Sequence, residues 1–146
     1  MSIILDSEAQ FKVKLFVSLE WLYPDQVEYL FTPKYCSYDL IVRDKKHFTQ
    51  IYIEHKERKL QYFSTIQTYG LMFNRCKLNY YKKYLSGALV IIATTIQEKC
   101  YWTVYESSMH QLTTVELNQA VVFLPFHTFC DDIDQLALKI SCYFKT

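Results

Sequence analysis

The spacing of apolar residues along this chain changes several times, and each change marks an element. From Ser7 to about Tyr23, Phe11, Leu15, Leu19 and Leu22 recur at helical spacing, Ser7 and Gln10 fit a capping box, and Pro24 closes the segment. Phe11, Val13, Leu15 and Val17 also alternate as a strand would, but length and the cap favour a helix. Val27 to Phe31 predicts a first strand, ended by Thr32-Pro33. Tyr38 to Val42 and Gln50 to Lys56 predict two more, joined by the polar turn Asp44-Lys45-Lys46-His47. Beyond a charged corner, residues 62 to 76 read as a second helix, because Phe63, Ile66, Tyr69, Leu71 and Phe73 are apolar without strict alternation. The unbroken apolar run Ala88 to Ala93 predicts a central strand covered on both faces, and Tyr101 to Tyr105 and Val121 to Leu124 add two others. A final amphipathic helix begins at about Asp131, with Ile133, Leu136, Ala137 and Ile140 inward and Asp131 and Asp132 suited to its N-terminus. This order predicts an α/β fold, a mixed β-sheet flanked by helices, in one domain spanning residues 1–146.

The central hairpin carries the candidate chemistry. With its turn centred near Lys46 and His47, Asp39 falls opposite Glu54, a placement that puts Cβ atoms ~5 Å apart. Side chains alternate along a strand, so Lys56 shares the face of Glu54 and His55 points the other way. Two acids and an amine then converge where a small oxygen-seeking cation would sit, an arrangement suited to phosphodiester hydrolysis. The plainer reading of Glu54, Lys56, Glu57 and Lys59 is a group of solvated charges at a strand end. Similarly, Glu8 near a helix N-terminus is what the helix dipole favours in any case. His55 reads as a hydrogen-bonded core histidine.

Composition narrows the classes further. An apolar fraction of 51% with two glycines and three prolines in 146 residues argues for a folded core. No apolar run is long enough to span a membrane, and residues 1–6 carry no basic leader. Five scattered cysteines without a Cys-x-x-Cys pair argue against a disulfide framework or zinc site and point to a reducing cytoplasm. Net charge is only +1, yet residues 43–83 hold ten basic against three acidic side chains. That asymmetry points to a phosphate-rich partner, with a solvated basic face as the alternative. Arg58, Lys59, Lys77, Lys82 and Lys83 are the candidate phosphate contacts. They are interleaved with Tyr62, Tyr80, Tyr81 and Tyr84, a mixture that can stack bases and neutralise phosphates. No serine or cysteine has a histidine at a spacing that favours nucleophilic catalysis.

An Asp followed fifteen residues later by Glu-x-Lys on the next strand resembles the PD-(D/E)XK superfamily of restriction-endonuclease-like nucleases. More closely, the order Glu8-Ala9, Asp39, Glu54-His55-Lys56, Tyr80-Tyr81, Leu89 to Ile92 and Tyr101-Trp102 is similar to a small bacterial family of unknown function within it. The resemblance implies that Asp39 and Glu54 ligate Mg²⁺ or Mn²⁺ with help from the backbone carbonyl of His55. It implies that Lys56 orients the attacking water or stabilises developing charge, and that Glu8, with Glu20 as the fallback, reaches the site from the first helix. It departs from the family pattern at His55, where an apolar residue is usual, and at Leu71, four residues after Gln67, where many relatives carry Tyr. A literal Pro24-Asp25 also exists, but the hairpin register favours Asp39. The function implied is a metal-dependent endonuclease acting on DNA in a defence or mobile-element setting. Alternatives are an inactive nuclease fold that binds nucleic acid or a protein, or a subunit of a homodimer or larger assembly.

Overall fold

A computed structural model describes residues 7–32, 37–57, 63–96, 99–112, 114–115 and 118–144. Helix α1 (Ser7–Leu22) opens it, followed by strands β1 (Val27–Phe31), β2 (Leu40–Asp44) and β3 (Gln50–Glu57). Then come α2 (Phe63–Tyr69), β4 (Leu71–Asn74), α3 (Arg75–Tyr84), β5 (Leu89–Ile96) and β6 (Lys99–Val104). The chain closes through β7 (Thr114–Val115), β8 (Asn118–Leu124) and α4 (Ile133–Phe144).

Five strands form a mixed sheet in the order β1-β2-β3-β5-β6, in which only β3 and β5 run parallel. Its two faces build separate cores. One carries Leu40, Val42, Ile51, Ile53, Leu89, Ile91 and Ala93, and α1 and α4 cover it through Phe11, Leu15, Leu19, Leu136 and Ile140. The other carries Val90, Ile92 and Ile96 and packs against α3, through Leu78 and Tyr81, and against a small second sheet ordered β4-β8-β7. Strand β5 is buried along its whole length, as its unbroken apolar run requires.

The helix expected over residues 62–76 is instead two helices with a strand between them. Gly70, at φ +99°, ends α2 in a conformation that side chains disfavour. A Cβ at Gly70 would also lie 2.4 Å from the carbonyl oxygen of Leu124, so only glycine lets the chain pass β8 this closely. Leu71 and Phe73 then alternate inward with Met72 and Asn74 outward, and β4 pairs with β8. Asn74 ends the strand and starts α3, its side chain accepting a 2.8 Å bond from the Cys76 N–H. At the last helix, Asp132 caps α4 by accepting from the Asp134 N–H at 2.9 Å.

A candidate carboxylate site on the central hairpin

Strands β2 and β3 pair antiparallel with Leu40 opposite Ile53 and Ile41 opposite Tyr52. Continuing that register by one step sets Asp39 against Glu54. The turn between the strands is organised by Asp44, which accepts from the Lys46 N–H and from His47 and contributes the acceptor carbonyl for Phe48. Asp39 lies just outside β2. Its N–H bonds the Ile53 carbonyl at 2.8 Å, and its carboxylate accepts the His55 N–H at 2.7 Å. The carboxylate thus occupies a place in the ladder where a carbonyl would otherwise accept, which fixes it beside β3.

Glu54 points to the α3 side of the sheet, with only 2% of its surface exposed. Its carboxyl lies within hydrogen-bonding reach of Asp39, and the Lys77 ammonium reaches it from α3. Burial raises its pKa, Asp39 raises it further, and Lys77 opposes both; the result is a value pushed up to about 8. One helical turn beyond Lys77, the fully buried Tyr81 donates its hydroxyl to the carbonyl of Ser37. Burial and the two nearby acids push the Tyr81 phenol up as well. Helix α3 therefore clamps the hairpin twice, through Glu54 and through the segment leading into Asp39. Thr32, just past the end of β1, holds that segment, its hydroxyl donating to the Tyr38 carbonyl at 2.6 Å.

The remaining predicted residues fall in different places. Lys56 is half-buried on the strand face of Glu54, and its carbonyl accepts from the Thr94 hydroxyl at 2.6 Å. The His55 ring turns to the opposite face, stacking on Phe11 with centroids 5.2 Å apart and bonding Thr95 Oγ1 at 2.8 Å. That explains a histidine where the family pattern has an apolar residue: the ring fills a core position and its Nε2 is hydrogen-bonded. Glu8 belongs to α1, which packs on the His55 face, and its carboxylate pairs with Lys12 at 3.1 Å. Glu20 accepts from the Asp25 N–H at 3.2 Å. Among the described residues no group of three or more His, Cys, Asp or Glu side chains could hold a metal.

Of the candidate phosphate contacts, Lys77 is drawn into the site, while Lys82 and Lys83 are exposed near the end of α3. Arg58 and Lys59 lie outside the described residues. The roles of Lys77 and Tyr81 in building the site were not legible in the sequence. Their only local signal is an i, i+4 spacing that puts both on one helix face.

No family model matches the chain, and no curated protein matches it. Among solved structures, a Holliday junction resolvase from the hyperthermophilic archaeon Archaeoglobus fulgidus superposes with a TM-score of 0.51 at 15% identity. The match covers 88% of this chain and 93% of that one. The fold is restriction-endonuclease-like. Within that fold the hairpin and α3 place the two acids and Lys77 together.

The donor set fits a hard divalent cation. Carboxylate oxygens such as those of Asp39 and Glu54 suit Mg²⁺, which is commonly bound through one or two carboxylates while keeping several waters. Lys77 now supplies the positive charge that the acid pair requires.

Proposed function

We propose that this chain is a metal-dependent nuclease that hydrolyses phosphodiester bonds in DNA. The observation that carries the reading is the convergence of Asp39 and Glu54 on a buried, cation-compensated spot within a restriction-endonuclease-like sheet. Asp39, Glu54 and the His55 carbonyl would hold Mg²⁺ or Mn²⁺, which when bound supplies Lewis-acid stabilisation of a phosphoryl oxygen and a more acidic water. Lys56, on the same face, orients the nucleophilic water or meets the charge that develops on phosphorus. Lys77 keeps the acid pair from standing uncompensated before a cation arrives. The exposed Lys82 and Lys83 neutralise backbone phosphates.

A second reading has one observation in its favour. Lys77 already satisfies Glu54, so the same arrangement would also serve a nuclease fold that binds without cutting. Incubating the purified protein with plasmid, linear and single-stranded DNA and with RNA, in Mg²⁺, Mn²⁺ or EDTA, separates the two. The nuclease reading predicts cleavage in Mg²⁺ or Mn²⁺, none in EDTA, and a loss of at least ~100-fold in each of Asp39→Ala, Glu54→Ala and Lys56→Ala. Cleavage that survives Glu54→Ala, or no cleavage of any substrate, would reject it.

A further inference from the structure

Each element that delivers a charged group to the site also delivers a tyrosine beside it. Tyr38 precedes Asp39, Tyr52 lies two residues before Glu54 on the same strand face, and Tyr80 and Tyr84 follow Lys77 along α3. Their rings form a continuous series. Tyr38 meets Tyr52 with centroids 5.0 Å apart, Tyr38 meets Tyr80 at 6.2 Å, and Tyr80 meets Tyr84 at 4.9 Å. The series runs outward, from the half-buried Tyr52 and Tyr38 to Tyr84, which is 60% exposed. At that outer end the Lys83 ammonium sits 5.0 Å from the centre of the Tyr84 ring, and Lys82 is exposed next to it.

Tyr38, Tyr52 and Tyr80 pack against the core of this face, but Tyr84 stands exposed beyond it. A large exposed aromatic at the end of a helix gains little by burial, and the lysines beside it gain nothing from an apolar partner. Aromatic faces flanked by ammonium groups instead match a nucleic-acid strand whose bases are unpaired. Bases stack on rings irrespective of sequence, while phosphates meet the cations. A duplex keeps its base faces stacked on one another and offers none to a ring.

We propose that the Tyr52–Tyr38–Tyr80–Tyr84 series is a base-stacking track that guides a single-stranded segment of nucleic acid to the Asp39–Glu54 carboxylates. This rests on the nuclease reading for what happens at the end of the track, but the binding step stands apart from it. The track therefore selects unpaired strands, and Lys82 and Lys83 add affinity without adding that selectivity.

The test is fluorescence anisotropy in EDTA and low salt, with a short labelled oligonucleotide and the duplex of the same sequence. Turnover plays no part, so an absence of cleavage elsewhere leaves this result unaffected. The single strand is expected to bind more tightly than the duplex. Tyr84→Ala should weaken single-strand binding ~10-fold and leave duplex binding unchanged, while Tyr84→Trp retains it. Lys83→Gln should weaken both ligands alike. Because Tyr84 is exposed, its variants retain the fold, which circular dichroism melting verifies. Tighter binding of the duplex, or single-strand binding unchanged in both Tyr80→Ala and Tyr84→Ala, would overturn the proposal even if the protein proved to be a nuclease.

Discussion

Glu54 is an acid held under strong electrostatic tension. A side chain that is 2% exposed carries an acid whose pKa is raised from 4.5 to about 8, chiefly by burial and secondly by Asp39. Between those two values the folded chain keeps a proton that the unfolded chain releases, so the folded state binds more protons. Stability contributed by this group is therefore fully present below about pH 4.5 and is lost as pH rises through about 8. Denaturant melts of wild type and Glu54→Gln across that window measure the difference directly. The variant should gain on the wild type as pH increases, and a constant difference would show that Lys77 compensates the carboxylate in full. The same proton must leave before the carboxylate can ligate a cation, so cation affinity should climb with pH until about 8. The position of Glu54 opposite Asp39 was legible in the sequence, because alternation and turn length together set a hairpin register. Its partner Lys77 was not, since twenty-three residues separate them and no local pattern distinguishes that lysine from its solvated neighbours.

Among the elements, the break between α2 and β4 decides where α3 lies, and with it Lys77 and Tyr81. The sequence favours one helix there because Ile66, Tyr69 and Phe73 keep a helical spacing and β4 alternates through only four residues. What overrides it is pairing with β8, which lies far downstream, and the close approach that Gly70 alone permits. Gly70→Ala should therefore destabilise the fold by about 3 kcal/mol or more, since it combines left-handed backbone strain with a steric clash. Gly87 offers the control. Its φ is +84° but a Cβ there meets nothing within 4 Å, so Gly87→Ala should cost only the ~1–2 kcal/mol of backbone strain. Thermal melts of the two variants compare them, and equal losses would mean that the contact with Leu124 contributes nothing. The strands of the main sheet were readable by contrast, since the apolar run through β5 spans six residues, Ala88 to Ala93, and the alternation of β3 recurs along its eight.

Across the whole molecule, the sheet divides labour between its faces. The α1 and α4 side is a closed apolar core in which even His55 is satisfied internally, while the α3 side carries the acids, Lys77 and the tyrosine series. Part of the uneven charge along the sequence is consumed internally, by Arg43 on Glu28 and by Lys77 on Glu54. No helix among the described residues is long and apolar enough to cross a membrane. The central claim is that Asp39 and Glu54 together form a divalent-cation site. Isothermal titration of the purified protein with Mn²⁺, without nucleic acid, tests it most directly. The account predicts one site per chain in the wild type, accompanied by proton release near neutral pH, and no site in either Asp39→Ala or Glu54→Ala. Absence of binding to the folded wild type, or equal affinity in all three proteins, would contradict it.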